Sequence, residues 1–317
     1  MTWLVTGGAG YIGAHVTAAL LAAGEPVVIL DDLSTGDARR VPAGVPFQPG
    51  DAGDPATVRD VLHRHGVSGV MHLAGSKSVP ESLHKPQWYH RQNVTVVENV
   101  LDAMAEAGVA RLVFSSSAAV YGMPGSHSVA EDAPARPLNP YGQSKLDAEH
   151  AVANAPGISW IALRYFNAIG AAAPHLTDHG TTNLLPRVLH AARTGEPLTV
   201  TGTDLPTPDG TAIRDYVHVA DIAAAHLAAA AAVTTARRAR VYNAGTGTGH
   251  SVLDVIHAAE RMTAASVPWL AGPPRPGDPA AVVADVRRIE AELGWRARHT
   301  LDDAVRSAWL GAPANAQ

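Results

Sequence analysis

The sequence predicts an α/β fold: a doubly wound parallel sheet joined to a smaller α/β substrate-binding domain. Three observations predict it. Short, continuous apolar segments alternate with helical stretches through the first half. A glycine-rich turn, GGAGYIG, opens between the first such segment and the first helix. The second segment ends on an acidic residue, Asp31. Strands buried on both faces read as unbroken apolar runs, and helices between them make the crossovers of a parallel sheet.

Taken in order, Thr2–Thr6 is the first strand and Tyr11–Ala23 the first helix. Pro26–Leu30 is a second strand, Val45–Gly50 a third, and Asp54–His65 a helix. Gly69–Leu73 is a strand ending at Ala74 and Gly75, and Trp88–Ala107 is a long amphipathic helix. Arg111–Phe114 runs as a strand into Ser115–Ser117, a helix follows Asn139-Pro140, and Ile158–Arg164 is a further strand. Ligands of such sheets collect at the carboxyl ends of the strands. Gly7, Asp31, Asp51, Ala74, Gly75, Ser115 and Ser117 all fall there. The second half is turn-rich, with helices at Val219–Val233 and Val252–Arg261 and no internal repeat. A division into 1–166, 167–312 and a frayed tail 313–317 follows, with 215–245 packing back onto the first unit and the loop Ala171–Thr182 as the boundary.

Composition narrows the chemistry. A net charge of −5 gives no reason to expect nucleic acid or an anionic membrane as partner. No apolar run reaches the length of a membrane span, and no leader segment is visible. With no cysteine, disulfides, thiol nucleophiles and Cys–zinc sites are excluded together. A cytoplasmic protein is the expectation. The sixteen histidines show no metal-binding spacing. His63 and His65 point to different helix faces, and His175, Asp178 and His179 lie in a loop, so no metal is expected.

Gly7, Gly10 and Gly13 in strand–turn–helix context, with Asp31 closing the next strand, predict a dinucleotide site of Rossmann type. Gly7 permits the tight turn, Gly10 lets a pyrophosphate approach the backbone, and Gly13 allows close packing of the helix. The first N–H groups of that helix, near Tyr11 and Ile12, face the phosphates. The Asp31 carboxylate suits a ribose 2′-hydroxyl and repels a 2′-phosphate. Since no Arg adjoins it, NAD is predicted over NADP.

The stretch NPYGQSK sets Tyr141 and Lys145 one helical turn apart on one face. The chain has seven Tyr and only three Lys, so chance rarely makes this pair. A phenol needs its pKa brought from about 10 toward 7 to serve as a general base at neutral pH, roughly 4 kcal/mol. A cation about 4 Å away, at an effective dielectric near 20, is worth about that much. Lys145 is therefore expected to supply a large share. Ser117, on the same edge, is placed to hydrogen-bond the same substrate oxygen. This is equipment for taking a proton from an alcohol while its carbon gives up hydride.

The chain resembles the extended short-chain dehydrogenase/reductases, and within them the UDP-glucose 4-epimerases. The resemblance spans nearly the whole length through VTGGAGYIGAH, LDDLSTG, HLAGSKSV, FSSSAAVYG, NPYGQSK, LRYFNAIG, TAIRDYVHVAD, VYNAGTGTGHSVLDV and RPGD. It implies a triad of Ser117, Tyr141 and Lys145. It implies NAD contacts from Tyr11, Ile12, Asp31, Asp32, Leu33, Ser34, Thr35, Gly36, Asp51, Ala52, Leu73, Ala74, Gly75, Lys77, Asn93, Ser115 and Phe166. It implies UDP-sugar contacts from Lys77, Asn167, Asn183, Leu184, Thr199 and Thr201 on the strand around Leu198–Thr201, Arg214, Arg275 and Asp278. Val282 stands where hexose-specific relatives can carry a Tyr that walls off the sugar's C2 side, so N-acetylhexosamines are expected as additional substrates.

The activity implied is oxidation at sugar C4 to a 4-keto intermediate, rotation of the hexose and re-reduction, interconverting UDP-glucose and UDP-galactose. UDP-glucuronate or UDP-pentose epimerases stay open as alternatives. A dehydratase fits less well, since the segment Ser117–Gly122 lacks an acid. Ala119 departs from relatives that carry a hydroxyl there. The resemblance further implies a homodimer through the long helix and the Tyr141 helix, with Val94, Val97, Leu101 and Met104 as an apolar stripe that faces either the partner or the chain's own sheet.

Overall fold

The computed structural model describes residues 1–180, 182–233, 239–275 and 278–311, so the expected frayed tail lies outside the described residues. Seven parallel strands form the main sheet: β1 (Thr2–Thr6), β2 (Val27–Asp31), β3 (Phe47–Pro49), β4 (Val67–His72), β5 (Arg111–Ser117), β7 (Ser159–Tyr165) and β12 (Ala239–Ala244). Their order is β12-β7-β5-β4-β1-β2-β3. The register pairs Thr6 with both Leu30 and His72, His72 with Phe114, and Ser117 with Tyr165, so the carboxyl ends align on one edge.

Alternate residues of these strands face opposite layers. Leu4, Val28, Val70, Leu112 and Phe114 pack with helices α2 (Pro55–Arg64), α5 (Val96–Glu106) and α6 (Pro140–Asn154). Val5, Ile29, Met71, Val113 and Ile161 pack with α1 (Tyr11–Ala22), α8 (Val219–Ala232) and α10 (Arg287–Leu293). Thus α8 and β12, from the second half of the chain, complete the first unit's core.

The second unit packs α7 (Leu184–Thr194), α9 (Val252–Thr263) and α11 (Leu301–Gly311) around Leu198, Val200 and Tyr216. Its strands are short. β9 (Leu198–Thr201) pairs with β14 (Trp269–Gly272), and β8 (Asn167–Ile169) with β11 (Tyr216–His218). β10 (Ile213–Arg214) lies between β13 (His250–Ser251) and β15 (Ala281–Ala284), and β15 also pairs with β6 (Ser128–Val129).

The long helix expected over Trp88–Ala107 is not uniform. After α3 (Val79–His84), α4 (Pro86–His90) passes into a π-helical turn, Arg91–Thr95, before α5. The turn rotates the buried Asn93 so that its amide takes up both backbone groups of Ser76, accepting from the N–H at 2.7 Å and donating to the carbonyl at 2.9 Å. Such inserted turns gather at functional sites. The apolar stripe also finds its place: Val97, Leu101 and Met104 join the core beneath the chain's own sheet, and Val94 is buried within the same chain. It is thus unavailable to a partner.

Candidate functional site

At the first strand's end the glycines are required by space. Gly7 has φ +70°, and a Cβ there would sit 2.6 Å from the Ala74 backbone nitrogen. A Cβ on Gly13 would lie 2.1 Å from the Gly7 carbonyl oxygen, so α1 packs against the turn itself more tightly than any side chain allows. Gly10 caps α1 without a side-chain hydrogen bond, leaving the first N–H groups at Tyr11 and Ile12 open toward a phosphate.

Asp31 is buried and its carboxylate organises the following loop. It accepts from Ala9 N at 2.9 Å and from Leu33 N at 2.8 Å. Burial raises its pKa, and these N–H groups pull it back. Leu33 is held at φ +59°, a left-handed conformation that a bulky residue adopts only when its surroundings impose it. Asp32 accepts from both the backbone and the hydroxyl of Ser34, Thr35 follows, and a Cβ on Gly36 would press to 2.6 Å from Asp31. The nearby arginines have partners of their own: Arg39 pairs with Asp37 at 2.6 Å, and the buried Arg40 donates to the Thr177 carbonyl at 2.8 Å. Glycine cradle, open helix end and carboxylate together fit NAD.

Asp51 turns the chain after β3 by accepting from Gly53 N at 2.7 Å, with Ala52 buried behind it. Leu73, Ala74 and Gly75 follow β4, and the Lys77 ammonium lies 5.9 Å from the Tyr11 ring centroid. Asn93 spends both amide hydrogens, on the Ser76 carbonyl and on Ser144 Oγ at 2.9 Å, so it positions this segment and has no N–H left for a ligand.

The Tyr141 helix starts as its sequence demands. Asn139 accepts from Gly142 N at 2.8 Å and Pro140 occupies the first turn. Lys145, itself buried, donates to the Ser115 carbonyl at 3.1 Å, and its Nζ lies 5.4 Å from the Phe114 ring centroid. Burial pulls the ammonium pKa down to about 8 against the opposing charge of Glu149. Burial raises the Tyr141 pKa, and the Ser117 hydroxyl draws it back.

Several residues around the pair escaped sequence reasoning. The Tyr89 ring meets Tyr141 edge-on at 6.4 Å. Glu149, one turn beyond Lys145, takes Arg164 in a two-pronged ion pair at 2.8 and 2.6 Å. That i+4 spacing was legible; its partner on β7 was not. The Ser115 hydroxyl, expected to meet the cofactor, shares a 2.7 Å hydrogen bond with Tyr165, which in turn bonds His226 at 2.6 Å.

At the second unit Arg214 forms an ion pair with Asp278, bringing together two expected nucleotide-sugar residues 64 positions apart. Its immediate neighbour Asp215 is instead fully buried and accepts from the backbone of Thr246, Gly247 and Ala284. Val282 stands opposite Arg214 across β10 and β15 and shares a small cluster with Phe166, Val120 and Tyr121. The cluster thus joins Phe166, expected at the cofactor, to Val282, expected at the sugar. Asn167 is exposed at the start of β8, while Arg275 is exposed beyond β14. Asn183 donates to Asp178 at 2.6 Å just before Leu184 begins α7, and Thr199 and Thr201 lie on β9. A cleft of about 710 Å³ is walled by Tyr11, Gly170, Asp178, Leu185, Leu198 and Thr199. Ser117, Tyr141 and Lys145 are not among its lining residues.

With these features in place, the chain belongs to the NAD dependent epimerase/dehydratase family, which residues 3–245 match. Within it, the chain is 45% identical to the UDP-glucose 4-epimerase of Azospirillum brasilense, over 96% of this chain and 90% of that protein. It also superposes on the UDP-glucose 4-epimerase of Stenotrophomonas maltophila, solved with NAD and formylated UDP-arabinopyranose, with TM-score 0.94 and 41% identity over 98% of this chain and 97% of the other. A third similar protein is that of Bifidobacterium longum with NAD+ and UDP, at TM-score 0.91 and 38% identity over 98% of each chain.

Proposed function

We propose that this chain is an NAD-dependent UDP-glucose 4-epimerase. The observation that carries the reading is the set Ser117, Tyr141 and Lys145 at the carboxyl edge of a sheet whose first turn is a glycine cradle. NAD, when bound, accepts hydride from the sugar's C4 and returns it. Gly7, Gly10 and Gly13 admit the cofactor, the α1 N–H groups face its phosphates, and Asp31 takes its ribose. Tyr141 removes the O4 proton and later gives it back, Ser117 orients the same oxygen, and Lys145 holds the local charge. Arg214, aligned by Asp278, and Arg275 grip the diphosphate, which must stay bound while the hexose turns. A dehydratase lacks its acid here, since Ser117–Gly122 reads SAAVYG.

The test is to incubate purified protein with UDP-galactose, UDP-glucose, UDP-N-acetylglucosamine and UDP-glucuronate and resolve the epimers. Conversion of UDP-galactose to UDP-glucose without net NADH supports the reading; stoichiometric NADH overturns it.

The small Val282 side chain supports acceptance of N-acetylated hexosamines beside the plain hexoses. A cytoplasmic enzyme is part of the same reading; no helix among the described residues is long and apolar enough to cross a membrane. The resemblance supports a homodimer built on α4–α5 and α6. Because the apolar stripe is used internally, the interface must draw on other faces of these helices, which carry His90, Arg91, Gln143 and His150. Light scattering at twice the 32.9 kDa chain mass is the expected result.

A further inference from the structure

The segment from Gly170 to Asp178 precedes Asn183 and walls the cleft beside the cofactor helix. It is tied to the first unit at three points. The Tyr11 hydroxyl donates to the Gly170 carbonyl at 2.6 Å. One turn further along α1, His15 Nε2 accepts the Ala172 N–H at 3.0 Å, while its Nδ1 bonds the Tyr11 carbonyl at 2.8 Å. Arg40 holds the far end through the Thr177 carbonyl at 2.8 Å. From the second unit, Ser307 on α11 accepts the Ala171 N–H at 3.1 Å.

The His15 tautomer is fixed by its partners. A carbonyl only accepts, so Nδ1 must carry the ring proton and Nε2 must offer the lone pair that Ala172 uses. The ring is 2% exposed and packs edge-on to Tyr11, leaving it one orientation. The residue it fixes lies within a few positions of Asp178, which in turn holds the Asn183 amide at 2.6 Å. One turn before His15, at its N-terminus, α1 presents Tyr11 and Ile12 to the cofactor phosphates.

We propose that His15 is a positioning residue for the nucleotide-sugar site, latching the 170–178 segment to the cofactor helix and so setting Asn183 and the start of α7. The inference rests on the reading of Asn183 and Leu184 as nucleotide contacts. His15 touches no reacting atom. Its effect is to make the order of α1 and the order of the substrate loop one event, so that cofactor and UDP bind with positive, reciprocal coupling.

The experiment measures UDP binding by calorimetry on NAD-loaded wild type, His15→Leu and His15→Gln. Leucine keeps the bulk and removes the acceptor; the glutamine Oε1 reaches the place of Nε2 and accepts the Ala172 N–H. His15→Leu is expected to weaken UDP about five- to twentyfold, the loss of one buried hydrogen bond. His15→Gln stays within about threefold of wild type by the same count. NAD content and kcat at saturating sugar remain near wild type in both. Amide exchange of the peptide spanning Ala172, in the wild type, slows when NAD alone is added. UDP affinity unchanged in His15→Leu, NAD lost from His15→Leu in the absence of UDP, no rescue by glutamine, or exchange indifferent to NAD each overturns the latch. A wild type that binds no UDP overturns the nucleotide-sugar reading instead.

Discussion

Lys145→Met should make the cofactor-free protein more stable while disabling it. Lys145 is 7% exposed, and burial pulls its ammonium pKa from 10.5 to about 8. At about 1.36 kcal/mol per tenfold change in proton affinity, keeping it charged in the fold costs roughly 3 kcal/mol. Methionine removes that penalty and keeps most of the apolar stem. It also loses the hydrogen bond to the Ser115 carbonyl and the cation's contact with Phe114, together worth about 1–2 kcal/mol. A net gain of about 1–2 kcal/mol remains, near 2–3 °C in Tm for a chain of this length. The sign follows from which state holds the proton. Below pH 8 Lys145 is charged in both states and the folded state bears the full penalty. Between about 8 and 10.5 the folded state gives up a proton that the unfolded state still holds, so wild-type stability from this group rises with pH. The gain of Lys145→Met is therefore largest at pH 7 and gone near pH 10.5. Denaturant unfolding at both pH values, on protein stripped of NAD because ligand adds its own stabilisation, is the assay. A variant less stable than wild type at pH 7, or a gain that does not fall with pH, refutes the argument. In turnover the same variant should show a raised pH optimum and weaker NAD binding.

Tyr141→Phe should lower kcat about 10²–10⁴-fold with NAD retained, the usual contribution of a general base; more than a tenth of wild-type rate would remove Tyr141 from that role. Gly13→Ala places a Cβ 2.1 Å from the Gly7 carbonyl oxygen, so the cradle must open, and purified protein should carry little or no NAD by absorbance and mass spectrometry. Val282→Tyr should reduce kcat/KM for UDP-N-acetylglucosamine against UDP-glucose by about 10–200-fold, the range for filling a pocket; equal handling of the acetylated sugar by both proteins means Val282 is not the gate.

The legible parts of the site were those written in local spacing. Asn139, Pro140, Tyr141 and Lys145 specify a capped helix and a pair on one face, and the structure has both. Gly7, Gly13 and Asp31 sit where strand, turn and helix must meet. What sequence could not show were partnerships across the chain. His15 meets Ala172, Tyr165 meets His226, and Arg214 meets Asp278 over 157, 61 and 64 positions. No periodicity encodes such pairs, because they follow from sheet order. The stripe Val94, Val97, Leu101 and Met104 marks the other limit. Its spacing says that one helix face is buried, and is silent on whether the cover is the chain's own sheet or a second copy. Sequence showed Tyr141 and Lys145 one turn apart along a helix, but not the Ser115 carbonyl that takes a Lys145 hydrogen bond.

The two units are not joined by a single linker. The chain passes from the first to the second at Tyr165–Asn167, from the second back to the first between β11 and α8, out again after β12, back once more between β15 and α10, and out to α11. Two of these crossings carry site residues or brace them. Phe166 and Asn167 lie in the first, and Arg214 stands just before the second. Asp215 ties the second and third together: fully buried beside Arg214, it accepts from Thr246 and Gly247 just beyond β12 and from Ala284 on β15. Removing its carboxylate would strand the buried Ala284 N–H, at a cost of about 1–3 kcal/mol, and release those of Thr246 and Gly247. A hinge needs a few unconstrained residues at the crossing, and here the second and third crossings are held to each other by the Asp215 hydrogen bonds, while β8 and β11 pair the first with the second. Opening one unit against the other is therefore opposed at the first three of these crossings. In the proposed reaction the freedom to present both faces of the hexose must then come from the sugar, turning about its diphosphate link inside a site whose walls stay in place.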